Sequence, residues 1–162
     1  MRTAKAKRII KRVIFIISIL ITMTTQAQQH KNPPALFDPA PYGFSHMATV
    51  PAGYRFIFIA GQGGEEDTTG RLSPDFRRQV AFSLKNIRAA LAADSLGMDD
   101  VVKVTTLVVD HSQEKLAIIV EEFHKIWPKK NFPVNTLIPV PKLAIDGMLV
   151  EIDAMAVRKP GP

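Results

Sequence analysis

Asn131-Phe132-Pro133-Val134-Asn135-Thr136, followed after a loop by Leu149-Val150-Glu151-Ile152-Asp153-Ala154-Met155-Ala156-Val157, is the stretch that decides the fold. Pro133 fixes its own φ and pushes Phe132 into extended backbone, so the first piece reads as a corner entering a strand. The second piece is a largely apolar run of nine residues that reads as a strand. Glu151 is a carboxylate in a largely apolar strand shortly after that corner. An acid in a strand more often faces solvent or pairs with a lysine than does chemistry. The alternative is a cleft carboxylate that positions or deprotonates water.

Upstream, two helices stand out. Ser73-Pro74 reads as a cap-then-proline start, and Phe76, Val80, Leu84, Ile87 and Leu91 follow at helical spacing. The end is expected near Ser95-Leu96-Gly97, with Gly97 as the left-handed stop. The second helix is expected after Asp110 or Ser112. Leu116, Ile119, Val120, Phe123 and Trp127 make its apolar stripe, and Pro128 ends it. Strand-like runs cover Phe44–Val50, Tyr54–Ala60, Val101–Val109, Val134–Ile138 and Leu149–Val157. Pro51-Ala52-Gly53 is expected to join the first two as a hairpin. The order is ββαβαββ, an α+β layer with two helices on one face of a sheet.

Two of these strands are apolar on both faces. Phe56 and Phe58 alternate with Ile57 and Ile59, and Val102, Val104 and Val108 alternate with Val101, Leu107 and Val109. Two helices cover one face only, so the second face needs another cover, and other subunits are the expected one.

The chain has 162 residues, 46% of them hydrophobic, which suits one compact domain. Its formal charge is +6, but Arg2, Lys5, Lys7, Arg8, Lys11 and Arg12 supply six of the 21 basic residues, and residues 1–27 hold no acid. The remainder carries 15 basic and 15 acidic residues. A basic surface for nucleic acid is therefore not expected. The leader runs from basic residues through the apolar Val13–Met23 to Thr25-Gln26-Ala27, the layout of a secretory signal. The apolar run spans only about 16 Å as a helix against roughly 30 Å of hydrocarbon, so cleavage is expected over anchoring. The expected organisation is a signal peptide at 1–27, a Pro-rich extended tail at 28–43, a domain at 44–158 and a short tail at 159–162. The mature protein is expected in the periplasm or outside the cell, with no membrane association. With no Cys, it has no disulfides.

Several motifs then combine. They are Phe44-Ser45-His46, Ala60-Gly61-Gln62, Gln79 with Leu84-Lys85-Asn86-Ile87, Asp99-Asp100-Val101-Val102-Lys103-Val104-Thr105, Phe132-Pro133-Val134-Asn135-Thr136 and Leu149-Val150-Glu151-Ile152-Asp153-Ala154. In this order and spacing the chain resembles the RidA/YjgF family, also called the endoribonuclease L-PSP family, over the whole of Phe44 to Arg158. The resemblance implies a chorismate-mutase-like fold, a homotrimer with clefts between subunits, and hydrolysis of small reactive imines or enamines without a cofactor. It implies that Glu151 is catalytic and that Asn135, Gln62, Gly61, Phe44 and Ala60 line the substrate site. Three of these depart from the family pattern: Asn135 stands where an arginine grips the substrate carboxylate, Phe44 replaces a tyrosine, and Ala60 replaces a serine. A neutral amide in place of a charged bidentate fork implies an altered substrate preference. Arg55 and Lys142 are the cations that could replace the arginine. A non-catalytic ligand-binding trimer is the alternative function, and a ribonuclease or translation inhibitor the least favoured. The four histidines show no metal-ligand spacing, so no metal is expected. His46, near the presumed pocket, reads first as a strand histidine without a role.

Overall fold

A computed structural model describes residues 28–161 of the chain. The expected signal peptide lies outside the described residues. The strands are β1 (Gln29–Lys31), β2 (Met47–Thr49), β3 (Arg55–Gln62), β4 (Val101–Val109), β5 (Val134–Val140) and β6 (Val150–Arg158); the helices are α1 (Phe76–Ala93) and α2 (Gln113–Ile126). From β2 onward the order is ββαβαββ. A four-stranded mixed sheet has the order β3-β6-β4-β5, with β4 and β5 parallel and the other pairs antiparallel.

Both helices pack on one face of this sheet. Val80, Leu84, Ile87 and Leu91 of α1 and Ile119 and Phe123 of α2 join Ile59, Val104, Val108, Val150, Ile152, Ala154 and Ala156 in one core. Asp75 caps α1 by accepting a hydrogen bond from the Arg78 N–H at 2.7 Å, one residue after the expected Ser73-Pro74 start. Ser112 caps α2 in the same way through Lys115 N–H. The indole N–H of Trp127 donates to the Met98 carbonyl at 3.1 Å and fixes the end of α2 on the start of β4.

Three expectations are corrected. Ser95, not Gly97, takes the left-handed position after α1, with φ 54°, while Gly97 is extended. Leu96 N–H returns to the Leu91 carbonyl and Ser95 N–H to the Ala92 carbonyl, a Schellman closure that folds Leu96 onto the core. That hydrophobic contact selects the site of the stop over the glycine. Second, β2 is shorter than the expected Phe44–Val50 and does not pair with β3. It pairs antiparallel with β1, inside the stretch expected as an extended tail. That stretch also holds a 3-10 turn at Ala40–Tyr42, closed by Gly43 at φ 72°. A Cβ built at Gly43 would meet the Phe123 side chain at 3.4 Å, so the glycine permits both the turn and the close approach to α2. Third, a bulge between Val101 and Lys103 shifts the alternation of β4. Val101 and Val102 are both buried, and the face away from the helices carries Lys103, Thr105 and Leu107. That face is therefore mixed on β4 and apolar chiefly on β3, where Phe56 and Phe58 are 51% and 74% exposed.

Gln79 is the polar lock of this architecture. It is fully buried on α1; its Nε2 donates to the Ser73 and Gly147 carbonyls at 2.7 and 2.8 Å, and its Oε1 accepts from Leu149 N–H at 2.8 Å. These bonds hold the loop before β6 and so the height at which Glu151 enters the sheet. Gln79→Leu keeps the volume and leaves three backbone groups without partners. The expected loss is about 3–5 kcal/mol, read in urea unfolding as a lower midpoint with an unchanged slope. A loss under about 1 kcal/mol would mean that water or a rearranged loop satisfies those groups.

Candidate active site

Glu151 stands opposite Leu107 in the β4–β6 register, on the sheet face away from the helices, and is half-buried. Its carboxylate lies against Gly61, where an added Cβ would overlap it. A β-bulge between Ile59 and Gln62 carries Gly61 over the acid. Ala60 and Gly61 share this face with Phe58, Lys103, Asp153 and Met155, which together line a depression of about 480 Å³. Gln62 turns back on the same bulge, its Nε2 donating to the Ala60 and Gly61 carbonyls at 3.1 and 3.3 Å. The glycine at 61 thus gives the carboxylate room beside backbone.

Asn135 lies elsewhere. It pairs in register with Val104 on the helix-covered face of the sheet, and its Oδ1 accepts a hydrogen bond from the buried Thr106 hydroxyl at 3.1 Å. It opens onto a groove of about 620 Å³ lined by Phe37, Tyr42, Phe44, Leu116, Ile119, Asn135, Thr136 and Leu137. A volume of this size suits a small organic ligand. Among the lining groups the polar ones are the Tyr42 and Thr136 hydroxyls and the Asn135 amide. Among the described residues no lysine, arginine, aspartate or glutamate lines the groove.

The structure therefore brings Phe44 to Asn135, and Gly61 with its neighbour Ala60 to Glu151, while Gln62 pairs in register with the core residue Ile152; it does not bring the two groups together within one chain. The sheet stands between them, because successive residues of a strand face opposite sides and the registers assign Asn135 and Glu151 to different ones. Arg55 pairs with Arg158 at the far end of β3 from Gly61, and Lys142 is exposed just beyond β5; neither lines the groove. His46 has a role the sequence reading missed. Its Nε2 donates to the Phe37 carbonyl at 2.9 Å, and its ring stands edge-on to Phe37 and Phe44. Phe37 and Tyr42 were missed as well; the available signal was two aromatics in an otherwise proline-punctuated segment. Among the described residues no group of three His, Asp or Glu is placed to hold a metal ion.

Two carboxylates of the loop ahead of α1 are shifted by their neighbours. A hydrogen bond from Arg78 holds Glu66 below the usual carboxylate range, and hydrogen bonds from the Thr69 hydroxyl and Arg71 bring Asp67 down to about 2. Both belong to the ion-paired loop ahead of α1 with Arg71 and Arg78, a structural network.

A small α+β domain with two helices on a mixed sheet, a carboxylate on the open face and a groove at the sheet edge define the class. The family profile described as Endoribonuclease L-PSP matches residues 38–158, and the chain belongs to this RidA/YjgF family as a divergent member. It is 34% identical over 121 residues to a RutC family protein of Aquifex aeolicus, covering 74% of this chain and 93% of the relative. It is 33% identical over 107 residues to the 2-iminobutanoate/2-iminopropanoate deaminase of Homo sapiens, covering 65% of this chain and 75% of that enzyme. Among solved structures, the Rid family protein YyfB of Yersinia pestis, of unknown function, superposes with a TM-score of 0.76 at 31% identity, over 81% of this chain and 98% of YyfB. Escherichia coli TdcF, solved with bound serine, shares the fold with a TM-score of 0.59 at 24% identity, over 81% and 98% of the two chains.

Proposed function

We infer that the protein hydrolyses the C=N bond of a small imine or enamine, with Glu151 as the group that acts on water. The observation that carries this reading is the Glu151 carboxylate on the open sheet face, set against Gly61, whose lack of a side chain gives the carboxylate its place. Water adds to the C=N carbon as Glu151 orients it or takes its proton; the nitrogen gains protons, and ammonia leaves as the carbonyl forms. The Homo sapiens relative named as an iminobutanoate/iminopropanoate deaminase supports the reaction class. Asn135 replaces the charged fork of the family with a neutral amide, so the substrate is one without a carboxylate at that position.

The reading includes a homotrimer. Phe56 and Phe58 form an exposed apolar face that the helices do not cover. Packing of subunits on that face would bury it and bring the groove of one subunit toward the carboxylate of the next. Light scattering on the purified domain is expected to give three chains per particle, and Phe58→Glu to dissociate it by placing a charge in the contact. A well-folded wild-type monomer at micromolar concentration would end this reading of the site. A second reading, a binding protein without turnover, is favoured by the groove's lining, which among the described residues holds no charged side chain.

A further inference from the structure

Phe37 is 60% exposed, yet it is not a loose surface side chain. Its ring stands edge-on to Tyr42 at 5.9 Å, Phe44 at 6.0 Å and His46 at 5.1 Å, and its carbonyl accepts a hydrogen bond from His46 Nε2. Tyr42 beside it is 54% exposed. Two large rings held open to solvent by a fixed aromatic cluster leave apolar area unburied that a ligand could cover. They form one wall of the Asn135 groove, and Leu116 and Leu137 belong to the same lining. On Asn135 the Oδ1 is taken by the Thr106 hydroxyl, while Nδ2 carries no hydrogen bond to the described residues. It is left as a donor beside the rings. A carboxylate in this groove would lose water without meeting a cation.

The geometry points to an uncharged, ring-bearing ligand, seated on Phe37 and Tyr42 and accepting a hydrogen bond from Asn135 Nδ2, with Phe37 as the residue that selects the ring. The assignment deepens the proposed function, since it rests on the same groove as the substrate site, but it concerns binding and is read without turnover. Edge-on packing rewards an aromatic ring over an aliphatic group of equal size, and the single free amide donor matches a carbonyl or imine-like acceptor.

The test is an NMR titration of the full chain with three probes: benzamide, benzoate and acetamide. Benzamide has the ring and the acceptor, benzoate the ring with a charge, and acetamide the acceptor without a ring. Benzamide is expected to bind at least about tenfold more tightly than either of the others. Phe37→Ala should weaken benzamide roughly three- to tenfold and leave acetamide unchanged, and Phe37→Tyr should restore it. Leu116→Trp, which fills the groove from α2, should weaken benzamide as well. The assignment is overturned by benzoate binding as well as benzamide, by benzamide binding that ignores both Phe37→Ala and Leu116→Trp, or by no benzamide binding at tens of millimolar. If benzamide follows Phe37 while no imine is hydrolysed, the ligand class stands and the hydrolytic reading falls. If Glu151-dependent hydrolysis is found without benzamide binding, the reverse holds.

Discussion

Glu151→Gln is expected to reduce imine hydrolysis by roughly 10²- to 10⁴-fold, the range supplied by a positioned general base. The substitution keeps the side chain's shape, so the close fit against Gly61 is retained, and it removes only the charge and the proton-accepting capacity. Glutamine still hydrogen-bonds water, so the loss should fall on kcat more than on KM. The measurement is the rate of disappearance of imines generated in situ from small amino acids and amines, for wild type and variant. Unchanged benzamide binding in the variant shows that the groove is intact. If the two proteins clear every imine at the uncatalysed rate, the enzyme reading is abandoned for the binding protein. If both clear them equally fast, Glu151 is the strand acid that faces solvent, as its residue type alone would suggest.

Asn135→Arg is expected to raise the rate on carboxylate-bearing imines by on the order of 30-fold or more, the value of a charge-assisted pair in a partly desolvated groove. The new guanidinium would enter the groove from β5, at the corner that Pro133 sets, with Thr136 beside it in the lining. The gain has a cost at Thr106. This fully buried hydroxyl now donates to Asn135 Oδ1 and would need another acceptor, at about 1 kcal/mol of stability. The same variant should lose ground on uncharged substrates, because a cation in the groove then stays without a counter-charge. Rapid turnover of 2-iminopropionate by wild type, with no gain in Asn135→Arg, would sink the altered preference. It would require a cation from outside this groove, and neither Arg55 nor Lys142 stands there within the chain.

The elements of this protein are largely local products of its sequence. The α1 stripe of Val80, Leu84, Ile87 and Leu91 follows the helical period and is buried as that period requires. Asp75 and Ser112 cap the helices with side chains a few residues from the groups they satisfy. The motifs around Asn135 and Glu151, with those before them, carried the family and the ββαβαββ order. Which residues meet is a different kind of information. The stop of α1 at Ser95 depends on Leu96 finding the core, and the glycine two residues later loses to that contact. The pairing of β1 with β2 joins residues well apart in the chain. The bulges at Val101/Lys103 and Ile59/Gln62 each shift a strand by one position, and a shift of one position changes which side chains share a face. Sequence alone determined that Glu151 and Asn135 lie on two strands near the end of the chain. Only the tertiary structure decided that they stand on opposite faces of one sheet, because the face of a strand residue is set by register against neighbours far away in sequence.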